Sequence, residues 1–331
     1  ERPFRAPPPR GMGRRAILAG SGLALAGLAG AGAVLHLSGG LPGRLPAHAV
    51  AMAAVAEDGN PRRAACFGRP PGEGLCALGA APDAEGRADF LFWGDSHADA
   101  FMPGMDRAAA RAGRSGLFAG HSGCPPILGI RRTTRGRDCA AFNGHVRAWL
   151  EARPDIPLVI LAARWALSVE GTRSPGEAGR AVRLEWIADP GARPEATGNA
   201  ALVEAGLAAT VAGIAATGRQ VVLLGPVPEI GRNVPAAAAR RALLGWTPAP
   251  AITRADHAAR AGRAEEILKR VAGRIEGAHY LPLSDLFCDA RLCRTTAPDG
   301  LPLYVDDDHL SRGAARGLLA PRLREIWHAG L

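Results

Sequence analysis

Hydrophobic positions along the chain fall into two regimes. Residues 16–37 form one apolar stretch whose only polar side chains are Ser21 and His36, and from Ala88 onward short apolar runs alternate with longer amphipathic stretches. The runs DFLFWG at 89–94, GLFAG at 116–120, PLVILAA at 157–163, QVVLLGPV at 220–227 and HYLPL at 279–283 are too continuous for half-exposed strands and read as strands buried on both faces. Helices are predicted between and after them, over 97–112, 140–152, 199–217, 253–275 and 312–328. This alternation predicts a parallel sheet covered on both sides, a doubly wound α/β domain over 88–331 with an irregular insertion at 165–198. Residues 38–87 are rich in proline, glycine and alanine and have no sustained period. They read as a linker with disulfide-closed loops.

The 22 residues of 16–37 suffice for a transmembrane helix, since about 20 apolar residues cross a bilayer. Arg2, Arg5, Arg10, Arg14 and Arg15 precede them, which places residues 1–15 in the cytoplasm and the remainder outside. A secretory signal is the competing reading, with Ala47-His48-Ala49 as a small-residue site and Arg14-Arg15 permitting a twin-arginine signal. A signal's apolar core runs ~7–15 residues, so the length favours a retained span. A buried Ala/Gly helix of a soluble protein is the third possibility. Both leading readings export the chain beyond Leu37.

All six cysteines lie in that exported part, as three local pairs: Cys66 with Cys76, Cys124 with Cys139, and Cys288 with Cys293. An even set in an exported chain predicts disulfides, and local pairing is the simplest of the fifteen connectivities. A metal site would want Cys-x-x-Cys or His spacings, which are absent. No metal and no cofactor are expected. The first residue is Glu1 and not methionine, so the chain is expected to be a piece of a longer one or to have had its start trimmed.

Composition narrows the picture further. With 331 residues and 47% hydrophobic side chains, wholesale disorder, collagen-like repeats and a multi-span membrane protein are excluded. The formal charge is +9, from 40 basic and 31 acidic residues, yet Lys269 is the only lysine. The excess therefore reflects a genome-wide preference for arginine. The arginines are scattered among acids and aromatics make up only 5%, so no nucleic-acid partner is expected.

In a doubly wound sheet, ligands bind at the carboxyl ends of the strands, and two motifs fall there. The first strand ends in Phe92-Trp93-Gly94-Asp95-Ser96-His97-Ala98. Gly94 permits a tight turn, and the N–H groups of the following helix start are available to a developing oxyanion. Near the other end of the domain stands Tyr304-Val305-Asp306-Asp307-Asp308-His309-Leu310-Ser311. Here a histidine can take a serine proton while a carboxylate three residues earlier orients its ring, making Ser96, His309 and Asp306 a candidate triad. Taken singly, Ser96 reads as a helix N-cap and the aspartates as a solvated loop or cation site. Together, at opposite ends of one domain and both at the active edge, they favour the triad. Asp307 and Asp308 are read as loop solvation. Asp95 and His97 are read equally as residues that tune the nucleophile they flank and as turn-stabilising residues, and His121, His145, His257 and His279 as structural or exposed. Trp149, Trp186, Trp246 and Trp327 are read as packing residues.

These residues resemble the SGNH (GDSL-like) hydrolases, whose nucleophile lies in a GDS block and whose base lies in a D-x-x-H block. GDSHA, Ser122-Gly123-Cys124-Pro125-Pro126, Leu161-Ala162-Ala163-Arg164-Trp165, the paired cysteines and DDDHLS together resemble the periplasmic SGNH domain fused to membrane O-acyltransferases of the acyltransferase 3 family. The opening ERPFR looks like the end of that family's membrane domain, which makes 16–37 a connecting last span. The resemblance implies a flavodoxin-like SGNH fold in a bacterial inner-membrane protein, with its catalytic domain on the periplasmic side. It implies Ser96 as nucleophile, His309 as base and then acid, and Asp306 as orienting carboxylate. For the oxyanion hole it implies the Ser96 N–H and a glycine N–H, with Gly123 preferred over Gly120. The family's asparagine is missing, because Arg164-Trp165 stands where Gly-x-Asn is expected; Arg164 is then a candidate to replace that oxyanion donor electrostatically or, with Trp165, to bind an anionic or sugar substrate, and a surface ion pair at the strand end is its equal alternative. The implied partners are an envelope glycan acceptor, such as lipopolysaccharide, and a membrane acyltransferase domain that delivers an acyl group, acetyl being expected. The alternatives are an esterase using water, and a glycan-binding domain with a degenerate site.

Overall fold

The structure, a computed structural model, describes residues 13–328 apart from 41–42, 44, 84, 134–137, 190–193 and 247–250. Residues 1–12, which carry Arg2, Arg5, Arg10 and the ERPFR run, lie outside the described residues, as does part of the 165–198 insertion. The chain divides into two units, residues 1–50 and 51–331. In the first, α1 (Arg14–Leu37) is one continuous exposed helix. Its 24 residues and mean hydropathy of 1.8 make it long and apolar enough to cross a membrane, its span of about 36 Å exceeding the ~30 Å hydrocarbon core. The helix α2 (Ala47–Ala54) follows.

The second unit carries the short helix α3 (Arg63–Cys66) and then alternates strands and helices. Its strands are β1 (Cys76–Gly79), β2 (Phe90–Gly94), β3 (Ser115–Gly120), β4 (Ile130–Arg132), β5 (Leu158–Ala162), β6 (Leu184–Trp186), β7 (Gln220–Leu224), β8 (Ile252–Thr253), β9 (Ala278–Leu281) and β10 (Leu292–Cys293). Its further helices are α4 (Ser96–Ala112), α5 (Cys139–Glu151), α6 (Trp165–Glu170), α7 (Asn199–Ala215), α8 (Val234–Leu243) and α9 (Arg254–Arg274). Six strands form the central sheet in the order β1-β3-β2-β5-β7-β9. The five predicted strands are parallel, and their order is the flavodoxin-like one. The chain leaves β2 toward one side for β3 and returns to the other for β5, so the end of β2 is the switch point where such sheets bind ligands. In register, Gly94 lies between Gly120 and Ala162, which aligns the three strand ends that carry the motifs.

Continuous apolar strands require cover on both faces, and they have it. Phe90, Leu91, Phe92 and Trp93 are all fully buried. Phe90 and Phe92 face α4 and the C-terminal helical segment through Phe101, Met105, Leu319 and Leu323. Leu91 and Trp93 face α5, α7 and α9 through Val146, Leu207, Val211 and Leu268. Each such side chain contributes about 1.5–3 kcal/mol by leaving water.

Three features depart from the sequence reading. The segment read as linker contributes β1, which pairs antiparallel with β3 at the sheet edge, so the sheet begins before residue 88. Asp58 ties the same segment to the far end of the chain: its carbonyl accepts from the Arg312 N–H and its Oδ2 from the Gly313 N–H. The predicted helix over 312–328 is broken. A π turn at Ala315–Leu319 links the helical pieces Arg312–Ala314 and Ala320–Leu323, packed so closely that a side chain on Gly104 of α4 would meet the Ala315 carbonyl at 2.4 Å. The 165–198 insertion holds α6 and β6, which pairs with β4. The three local cysteine pairs are bonded, 66 to 76, 124 to 139 and 288 to 293.

Candidate active site

The turn from β2 into α4 is fixed by backbone constraints before any side chain acts. A Cβ on Gly94 would lie 1.9 Å from the Ala162 carbonyl, so only glycine passes between the strands there. Asp95 caps α4 with one carboxylate oxygen on the His97 N–H at 2.8 Å and holds the Arg164 N–H with the other at 3.0 Å. It thereby pins the start of α4 to the end of β5. Ser96 is the first residue of α4, where N–H groups have no acceptor within the helix and the helix dipole favours negative charge.

The loop before the last helical segment meets this turn from the other end of the chain. His309 Nε2 lies 2.8 Å from Ser96 Oγ, and His309 Nδ1 lies 2.8 Å from Asp306 Oδ2. Asp306 Oδ1 accepts the N–H groups of Asp308 and His309, the folded-back loop carboxylate that the three-residue offset allows. The three residues stand in the order that a serine nucleophile, its base and an orienting carboxylate require. Burial opposes charge on the His309 ring, but the hydrogen bonds to Asp306 and Asp308 outweigh it and hold its pKa well above the usual 6.5.

Asp308 corrects the sequence reading. It is 1% exposed, not a solvated loop residue, and its Oδ1 lies 2.8 Å from the same His309 Nδ1. Burial raises its pKa, and the His309 and His97 contacts bring it well below the usual 3.8. Asp307, beside it, is pushed up to about 6 by burial and by the charge of Asp308.

Arg164 and Trp165 are corrected as well, since neither presents a group to substrate. The Arg164 side chain is 8% exposed and pairs with Glu177 at 2.6 Å, Glu229 at 2.7 Å and Asp308 at 2.6 Å. A guanidinium holding three buried carboxylates is not available to an incoming anion. Trp165 is 1% exposed, and its indole N–H donates to the Leu224 carbonyl. Glu177 and Glu229 escape a sequence reading because nothing in a linear pattern shows that a loop glutamate will be dry. The signal that could have found them is the arginine at a strand end, which needs acids once buried.

A cleft of about 280 Å³ opens over Ser96 and His309. It is lined also by Asn60, Arg63, Asp99, Ser122 and Leu310. Asn60 and Arg63 come from the segment read as linker and both bond Asp99 on α4, Asn60 at 2.7 Å. Ser122 precedes Gly123, whose φ of +65° suits glycine and whose carbonyl accepts from Arg132 at 2.6 Å. Gly120 lies within the sheet ladder, and its carbonyl accepts from the Gly68 N–H. Of the two glycines, Gly123 is the one in the loop beyond the strand.

The sequence model of one family, described as the SGNH domain (fused to AT3 domains), matches residues 61–324. No curated protein sequence matches the chain. Among solved structures, the periplasmic domain of a lipopolysaccharide acetyltransferase from Salmonella ser. Paratyphi A is similar at 17% identity and a TM-score of 0.55, over 72% of this chain and 84% of that one. A putative acylhydrolase from Bacteroides fragilis is similar at 11% identity and a TM-score of 0.41, over 75% of this chain and 90% of that one. The first of these has the same fold.

Proposed function

The chain belongs to the family of SGNH domains fused to AT3 domains, and from that premise we propose that it transfers an acyl group, acetyl by expectation, to a hydroxyl of a cell-envelope glycan. In this proposal α1 anchors the catalytic unit on the periplasmic side of a bacterial inner membrane, and a membrane acyltransferase domain delivers the acyl group. The disulfides support an oxidising compartment, and one structural neighbour is the periplasmic domain of a lipopolysaccharide acetyltransferase.

The observation that carries the proposal is the Ser96–His309–Asp306 chain, with 2.8 Å at each link. Ser96 Oγ attacks the acyl carbonyl as its proton passes to His309 Nε2. The oxyanion of the tetrahedral intermediate is held by the Ser96 N–H and the Gly123 N–H. On collapse the donor's leaving group takes the proton from His309, and Ser96 keeps the acyl group as an ester. A glycan hydroxyl then gives its proton to the same Nε2 and attacks that ester, and Ser96 Oγ regains the proton as the acylated glycan leaves.

A second reading, an esterase, is favoured by one observation. The His309 side chain is 26% exposed and that of Asp306 37%, so water reaches the base that a glycan hydroxyl would otherwise use.

Intact mass spectrometry of the full chain after exposure to p-nitrophenyl acetate, with Ser96→Ala alongside, tests the proposal. The expected result is one acetyl adduct that maps to Ser96 and is lost in the variant, followed by its transfer to an added glycan. An adduct that persists in Ser96→Ala removes the nucleophile; release to water with no glycan acylation by the intact protein establishes the esterase.

A further inference from the structure

Resting on the assignment of His309 as the base, we propose that Asp308 is a second positioning carboxylate for His309, clamped by Arg164, so that the imidazolium formed during acyl transfer is shared between Asp306 and Asp308. The two carboxylates are built alike. Each has one oxygen anchored and the other 2.8 Å from His309 Nδ1. In Asp306 the anchored oxygen accepts two backbone N–H groups. In Asp308 it takes Arg164 Nη1 at 2.6 Å, with His97 Nε2 at 3.4 Å. His309 Nδ1 therefore has two carboxylate oxygens of its own loop at 2.8 Å, Asp306 Oδ2 in a hydrogen bond and Asp308 Oδ1 as an ion-pair partner.

A purely structural role for Asp308, as counter-ion to Arg164, uses only its Oδ2. Glu177 and Glu229 have cations besides Arg164, in Arg173 and Arg260, so Asp308 balances Arg164 in a cluster of three carboxylates and three guanidiniums. That balance leaves its other oxygen free, and this oxygen is turned to the imidazole. Two anions beside one ring repel each other, and the arginine offsets that repulsion, which gives position 164 a task other than donating to the oxyanion. The charged and titratable groups around the ring are Asp306 and Asp308 from its own loop, His97 and Asp99 from α4, Arg164 from the end of β5, and Arg63 across the cleft.

The test uses Asp306→Asn, Asp308→Asn and the double variant in the full chain. It reads the rate of Ser96 acylation by p-nitrophenyl acetate against pH, and the ¹⁵N titration of the His309 ring. Where one carboxylate alone orients the histidine, its change to asparagine lowers the rate about 10⁴-fold. With two acceptors each single variant is expected to lose about 10²-fold and the double variant about 10⁴-fold. Asp308→Asn is also expected to lower the ring's titration point and to move the rising limb of the pH–rate profile to lower pH, which loss of packing alone would not do. The proposal is overturned by a 10⁴-fold loss in Asp306→Asn alone, or by an Asp308→Asn protein whose rate and titration match the wild type. Asp306 is partly exposed, so its variant tolerates the change and decides the first point even where Asp308→Asn does not fold. The titration needs no acyl donor. A wild type that never acylates Ser96 defeats the proposed function, and the titration then judges Asp308 by itself.

Discussion

Two buried aspartates flank the serine, and their charges are pushed in opposite directions. Asp99, one turn into α4, and Asp308, in the C-terminal loop, are each about 2–3% exposed at the side chain and each pair with an arginine. Burial raises both. At Asp99 it prevails over the Asn60 bond and the Arg63 charge, so its pKa stays above the usual value. At Asp308 the contacts to His309 and His97 prevail, and it falls well below. The partners explain the difference, since Asp99 has Asn60 and an Arg63 whose side chain is 49% exposed and shares its charge with solvent, whereas Asp308 faces the imidazoles of His309 and His97. One aspartate sits in a wet pair from an added segment; the other sits in a dry network built around His309.

The strongest way to break that comparison is to delete the two arginines in turn. Arg164→Met leaves Asp308 without its guanidinium, while Glu177 and Glu229 keep Arg173 and Arg260, and removal of one partner from a buried pair destabilises by about 3–5 kcal/mol. Arg63→Met, at a pair open to water, should lose less than about 1 kcal/mol. Thermal unfolding of the full chain in detergent would show a large drop for the first and a small one for the second. Equal drops would mean that exposure does not separate the two sites.

Next in size is the staple that holds Arg63. Its short helix α3 ends at Cys66, which is bonded to Cys76 at the start of β1. Changing both cysteines to serine should destabilise by about 2–4 kcal/mol, read by urea unfolding, while the His309 ring titration stays as in the wild type. A shifted titration would show that the wet pair and the dry network act on the histidine together.

Asp307 gives a smaller and pH-dependent effect. Its folded pKa is raised to about 6 from 3.8, so in the native state its charged form is disfavoured. That penalty is absent below its unfolded value and grows as pH rises through about 4 to 6. Asp307→Asn should therefore be more stable than the wild type at neutral pH, by about 1 kcal/mol once solvent screening is discounted, with the gain vanishing near pH 4. Urea unfolding at both pH values measures it, and a gain that persists in acid would mean repacking instead of titration.

How far the molecule is legible in its sequence depends on the same division between local and distant causes. The five parallel strands and the Ser96–His309–Asp306 set rest on short-range patterns, namely apolar runs, a Gly-Asp-Ser turn and an Asp-x-x-His spacing, and the structure brings those three side chains together. The edge strand β1 is hidden because four residues beside a disulfide carry no period. Asp308 is hidden because an Asp-Asp-Asp run looks solvated until Arg164, some 140 residues away, is folded against it. Arg164 itself misleads because an arginine near a strand end looks free until Glu177 and Glu229 arrive from an insertion and a loop. Partners brought in by topology leave no mark on the sequence near the residue they serve.

The smallest effect is expected at Asp99, and its smallness is what makes it diagnostic. Because its folded pKa is raised, the native state holds that proton more tightly than the unfolded chain, so the charged form is a burden above the ordinary carboxylate range that lifts as pH falls. Asp99→Asn mimics the protonated form and keeps an acceptor for Arg63. At neutral pH the lifted burden and the weakened pair nearly cancel, leaving a change within about 0.5 kcal/mol. Asp308 behaves in the opposite sense. Its depressed pKa supplies stability that is present above the usual 3.8 and is lost as pH falls through the folded value. Acid unfolding of the two asparagine variants against the wild type therefore reads the comparison directly. Asp308→Asn should flatten the loss of stability in acid, and Asp99→Asn should steepen it slightly, because the wild type alone gains from protonating residue 99. The same response in both variants would mean that burial, and not the company each aspartate keeps, sets its charge.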